Sequence, residues 1–198
     1  YEATAAGNQR RRPIEWLRTL YRRDDLTGLL RLEELQPLAL PGESYKLAFT
    51  PGLIDQVYQR DGVPLLPAPD QVLPVDAGNG LAANRGGYDD LDANGHWWLP
   101  SGQPFFTDNP ADSAATELAQ ARGHFFLPRR YRDPFGQYAF VDFDANDLLI
   151  LKTRDALDNH VTVDANDYRV LQPRLVSDPN GNRTEVAFDT LGMMVGTA

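Results

Sequence analysis

Three near-copies of one short pattern occupy the last third of the chain, and they restrict its fold more than any other feature. Asp133-Pro134-Phe135-Gly136 recurs as Asp155-Ala156-Leu157-Asp158 and as Asp178-Pro179-Asn180-Gly181. Each copy leads into an alternating stretch: Tyr138, Phe140 and Phe143; Val161 and Val163; Val186 and Phe188. Each stretch then meets a second turn: Asp144-Ala145-Asn146-Asp147, Asp164-Ala165-Asn166-Asp167, and Asp189-Thr190-Leu191-Gly192. An Asp at a turn entrance accepts bonds from backbone amides two residues on, and Gly takes the left-handed position. The spacing therefore predicts a strand–turn–strand unit used three times, with structural turn residues Asp133, Gly136, Asp144, Asp155, Asp164, Asp178, Gly181, Asp189 and Gly192. One such unit cannot bury its apolar face alone, so neighbours must pair edge to edge. The middle unit is shorter and carries Asp158 where the others carry Gly.

The first half reads differently. Ile14, Trp16, Leu17, Leu20 and Tyr21 lie among arginines with helical spacing, and Pro13 suits a first turn. Tyr45, Leu47 and Phe49 alternate as a strand. Thr50-Pro51-Gly52 then offers an N-cap and a proline at the first helical position, with Asp61-Gly62 closing the helix. Residues 63–87 are rich in Pro and Gly and read as loop with one short strand. Tyr88–Leu91 and His96–Leu99 flank Asp92-Ala93-Asn94-Gly95, a hairpin signal. Asn109-Pro110 opens a second helix that Gly123 closes, and from His124 onward the pattern is all-β. The expected fold class is α+β: a mixed, loop-rich segment with short helices over 1–123, then an antiparallel sheet over 124–198, open at its C-terminal end. Both termini read as excised: the chain opens Tyr1-Glu2-Ala3 without an apolar targeting region.

Charge and composition remove several function classes. A formal net charge of −9 disfavours phosphate-driven nucleic-acid binding and docking on anionic membranes. The basic residues crowd one end (Arg10, Arg11, Arg12, Arg18, Arg22, Arg23) and read as a solvated helix face. With no Cys, disulfides, thiolate zinc sites and cysteine nucleophiles are absent. No apolar run reaches the roughly 18 residues that span a bilayer.

Candidate sites are few. Asp90-x-Asp92-x-Asn94-Gly95 matches the start of a calcium loop, but its twelfth position is Ser101 where a bidentate Glu belongs. His96, His124 and His160 stand apart and form no ligand spacing. Gly78-Asn79-Gly80 lacks the third Gly of a dinucleotide fingerprint. Trp97 and Trp98, with Phe105, Phe106, Phe125 and Phe126, form either a core or a carbohydrate- or partner-binding platform. No catalytic, cofactor or metal residue is assigned, and a paired-Asp hydrolase is carried only as a third reading.

Longer strings narrow the choice. The aromatic-Asp pairs Phe143-Asp144 and Phe188-Asp189 before a second turn resemble the Rhs/YD repeat. Asn166-Asp167-Tyr168-Arg169-Val170-Leu171-Gln172-Pro173, Asp178 to Val186, Glu43 to Leu53 and Gly87 to Gly102 resemble the B component of bacterial insecticidal toxin complexes. The resemblance implies a secreted, non-enzymatic β-sheet shell that encloses a cytotoxic effector belonging to the C component. Its partners would be the rest of the parent chain and that effector, with no direct membrane insertion. In that family a β-propeller docks on the pore-forming A component, and nothing here resembles the propeller. Nor do these Asp residues give a basis for placing the family's aspartyl autoprotease.

Overall fold

A computed structural model describes residues 14–74 and 87–198. Arg10, Arg11, Arg12, Pro13 and Gly78-Asn79-Gly80 lie outside them. The chain forms two compact units: residues up to 103 together with 133–136, and residues 104–132 with 137–198. The change of character at His124 therefore falls inside the second unit.

In the first unit, β1 (Leu17–Tyr21), β2 (Pro41–Phe49) and β5 (Trp97–Pro100) make an antiparallel sheet in the order β1-β2-β5. The segment expected as an amphipathic helix is thus the strand β1. Pairing explains the change: Arg18 sits opposite Tyr45 and Leu17 opposite Lys46, and Ile14 stays almost fully exposed. A helix face that nothing buries has no packing to hold it, whereas the β2 edge satisfies the backbone. The helix α1 (Pro51–Val57) forms where Thr50-Pro51 points, with the Thr50 hydroxyl accepting from the Leu53 amide at 3.2 Å. Asp61-Gly62 does not cap α1. It turns the small hairpin β3 (Gln59–Arg60)–β4 (Val63–Pro64), both turn residues having positive φ as a two-residue hairpin requires. A four-residue helix α2 (Pro69–Val72) follows inside the segment expected as loop.

The second unit is built on one continuous meander. Strands β6 (Gln103–Phe105), β7 (Arg130–Arg132), β8 (Tyr138–Phe143), β9 (Ile150–Arg154), β10 (His160–Asp167), β11 (Gln172–Ser177), β12 (Arg183–Phe188) and β13 (Met194–Thr197) lie side by side in chain order. From β7 to β13 the turns are short and Asp-led and permit only this topology, because they can connect only adjacent antiparallel strands; β6 joins β7 through a longer segment that carries a helix. Helix α3 (Ala114–Gly123) precedes β7. Its cap is Ser113, whose Oγ accepts from the Thr116 amide at 3.1 Å, and not Asn109, which forms its own turn through the Ala111 amide. The helix ends at Gly123 as expected, but Gly123 is its last helical residue and not the left-handed cap. Phe125 takes the left-handed C′ position (φ 54°) while the Phe126 amide closes on the Ala121 carbonyl at 2.8 Å. Phe106, Ala121 and Leu149 are buried here, and Phe126 meets the Phe106 ring edge-on at 5.7 Å.

Candidate functional site

The recurring turns share one chemistry. In the turn after β9, the Asp155 carboxylate accepts the Leu157 and Asn159 amides at 2.9 Å each, and Asp158 takes the left-handed position. The turn after β11 repeats this: Asp178 accepts from Asn180 and Asn182, with Gly181 at φ 81°. So does the turn after β12, where Asp189 accepts from Leu191 and Met193 and Gly192 lies at φ 83°. This is a type I turn completed by a left-handed residue, the three-residue hairpin loop. Asp133 accepts the Phe135 amide at 2.9 Å, with Gly136 likewise at positive φ.

The middle unit departs from the expected spacing. Asp164 lies within β10, not at a turn entrance; its carboxylate accepts from the Ser177 hydroxyl at 2.6 Å and meets Arg183 at 3.5 Å. Two irregularities in the β10–β11 pairing, at Val163/Ala165 and Ala165/Asn166, skip one residue on each strand, and β10 runs on past Asp164. The turn enters instead at Asp167, which accepts the Arg169 amide at 3.0 Å.

Turns on one edge of the sheet also touch each other. In a meander the turns after β8, β10 and β12 share an edge, and the Tyr168 hydroxyl donates to Asp144 Oδ2 at 2.8 Å across two of them. Gly192 packs on Val170 so closely that an added Cβ would lie 2.9 Å from its Cγ1. Asp144 is buried and accepts the Leu148 and Leu149 amides at 2.7 and 3.1 Å. Burial pushes its carboxyl up, but the bonds from Tyr168, Leu148 and Leu149 outweigh this and hold it below the ordinary carboxylate range. Bonds from the Asn159 side chain and amide lower Asp155, and those from Asn182 lower Asp178.

The sign of the pH dependence follows. Each of these carboxyls titrates lower in the folded chain than in the unfolded one. The stability it contributes is complete above about pH 4, the unfolded value, and is lost as pH falls through the folded value. Tyr168→Phe removes one lowering bond, so the Asp144 carboxyl is expected to titrate closer to its ordinary value. An NMR titration of the side-chain carboxyl carbons reads this directly, with Asp178 as the unchanged control.

Sequence reasoning missed one cluster. Asp147 occupies the left-handed position of the turn after β8 (φ 55°), and its carboxylate leaves the turn to meet His124 Nδ1 and Arg129 Nη2, each at 2.7 Å. It ties the end of α3 to the sheet. The one visible signal was an Asp standing where the other turns favour Gly.

The structure contradicts the Trp97/Trp98 binding surface. Trp98 is fully buried and Trp97 is 6% exposed. Adjacent strand residues face opposite sides of a sheet, and both sides are covered here. Trp97 packs with Ile54, Leu73 and Phe49, while Trp98 lies against Trp16 (ring centroids 5.4 Å apart) and under the Arg18 guanidinium (4.4 Å). The Asp90–Gly95 loop likewise uses its donors internally. Asp90 accepts the Asn94 and Gly95 amides, Asn94 accepts the His96 amide, and Asp92 pairs with Arg18 at 2.5 Å. It is an Asp-capped hairpin turn. His160 Nε2 lies 3.5 Å from Asp158.

No protein-family model matches the sequence, and no curated protein does. Among solved structures, the fold is similar to part of the crystal structure of TcdB2-TccC3-Cdc42, at TM-score 0.55 and 18% identity over 91% of this chain and 8% of that one. It is also similar to part of the Photorhabdus luminescens Tc holotoxin pore carrying the TccC3-D651A mutation, with TM-score 0.55, 18% identity, 91% of this chain and 7% of that one. The TcdB2-TccC3 structure without its hypervariable C-terminal region gives 0.53, 18%, 91% and 8%. This chain thus spans less than a tenth of the length of the chains it matches. The shared property is the fold.

Proposed function

We propose that these residues form an Rhs/YD-type segment of a toxin-complex shell wall, with a structural and non-catalytic task. The observation that carries this reading is the eight-stranded meander whose turns lock onto one another through Tyr168–Asp144 and Val170–Gly192. The fold likeness to TcdB2-TccC3 chains supports it. The turn carboxylates are engaged by backbone amides, which suits rigidity rather than acid–base work. Among the described residues β13 pairs only with β12, and Met194 and Val195 are exposed, so its outer edge suits a further strand of the parent polypeptide. The wall would enclose a cytotoxic effector contributed by the C component and would act as part of a secreted complex. Its mechanism is exclusion: a closed sheet keeps cargo from solvent and from early action.

Protease protection tests the reading. The natural polypeptide carrying these residues, co-expressed with its C-component partner, is expected to shield the effector from a protease that digests the effector alone. Equal digestion of the two samples counts against a shell.

A further inference from the structure

The first unit contains a cavity of about 440 Å³ that the turn array does not involve. Its size falls within the range of pre-formed ligand pockets. The floor is apolar: Trp97 and Ile54 are buried core residues and Leu66 packs against them. Four prolines line the walls, each with its φ fixed by the ring. Asp55, Asp70 and Asp90 supply the charge, and no Lys, Arg or His is among the described lining residues. Asp55 and Asp70 are exposed, and neither has an ion-pair partner among the described residues. Asp90 is held in place by the Asn94 and Gly95 amides, which occupy one site on each oxygen and leave others free.

An apolar floor under an unbalanced carboxylate rim fits a long side chain with an alkyl stem and a cationic head. A neutral apolar ligand would use the floor alone and gain nothing from the rim, and an anion would be repelled. We infer that this cavity docks a lysine or arginine side chain of a partner polypeptide, with the stem on Trp97, Ile54 and Leu66 and the head at Asp55, Asp70 and Asp90. The rim would supply selectivity and the floor most of the contact.

The test uses the full 198-residue chain, ¹⁵N-labelled, titrated with acetyl-Ala-Lys-Ala-amide and with the same peptide carrying norleucine for lysine. The lysine peptide is expected to shift the Trp97 indole and the Ile54 and Gly95 amides. It should bind about fivefold more tightly than its norleucine counterpart, the upper end for solvent-exposed ion pairs. The double variant Asp55→Asn/Asp70→Asn, with an unchanged urea midpoint, should remove most of that advantage, Asp90 remaining, while keeping the norleucine affinity. Equal binding of both peptides, or no shift at these groups, overturns the inference.

Discussion

Trp98→Ala is expected to cost the first unit about 3–5 kcal/mol, the range for truncating a buried Trp in a core. Trp98 is the largest fully buried side chain among the described residues. Its removal opens a void that neighbours cannot fill: Leu47 is fixed opposite it in the β2–β5 register and Trp16 stands edge-on to it. Arg18 would lose one of its two aromatic faces, since its guanidinium lies 4.4 Å from the Trp98 ring and 4.9 Å from Trp16. Urea denaturation followed by near-ultraviolet circular dichroism measures the loss. Arg18→Ala, which removes the cation but leaves the ring, should cost less, about 1–2 kcal/mol. If Trp98→Ala costs no more than Arg18→Ala, the assignment of this tryptophan to the core is wrong.

Gly192→Ala carries the second large effect, and it probes the turn array. Two costs combine. A non-glycine residue at φ 83° is strained, and its Cβ would sit 2.9 Å from Val170 Cγ1. Gly181 separates them: it has nearly the same φ, 81°, and nothing lies within 4 Å of the place its Cβ would take. Gly181→Ala should therefore cost about 1–2 kcal/mol, the left-handed penalty alone. Gly192→Ala should cost about 1–3 kcal/mol more, the range for overpacking. Val170→Ala added to Gly192→Ala should recover most of the excess, because it removes the methyl that collides. Equal costs at the two glycines would mean that adjacent turns do not press on each other.

Much of the second unit is legible in the sequence because its chemistry is local. An Asp four residues before its farthest amide partner, with a left-handed residue between them, specifies a hairpin without help from distant residues. Asp155, Asp178 and Asp189 show this. Where the outcome depends on partners far along the chain, the pattern misleads. Trp16, Leu17, Leu20 and Tyr21 keep helical spacing, yet β2 captures the segment as a strand. Asp164 has turn-like neighbours, but the irregular pairing of β10 with β11 moves the turn to Asp167. Trp97 and Trp98 resemble an aromatic platform, and only the covering of both strand faces makes them core. The Asp147–His124–Arg129 cluster joins residues up to 23 positions apart, and no local rule unites them.

Electron cryomicroscopy of the natural polypeptide that carries this segment distinguishes a shell wall from a separate domain. The expected map shows β6 to β13 as part of a longer curved sheet, with another strand paired to the outer edge of β13 and a hollow interior behind it. A map in which this segment closes into a solid, separate domain, with the β13 edge facing solvent, would contradict a shell wall.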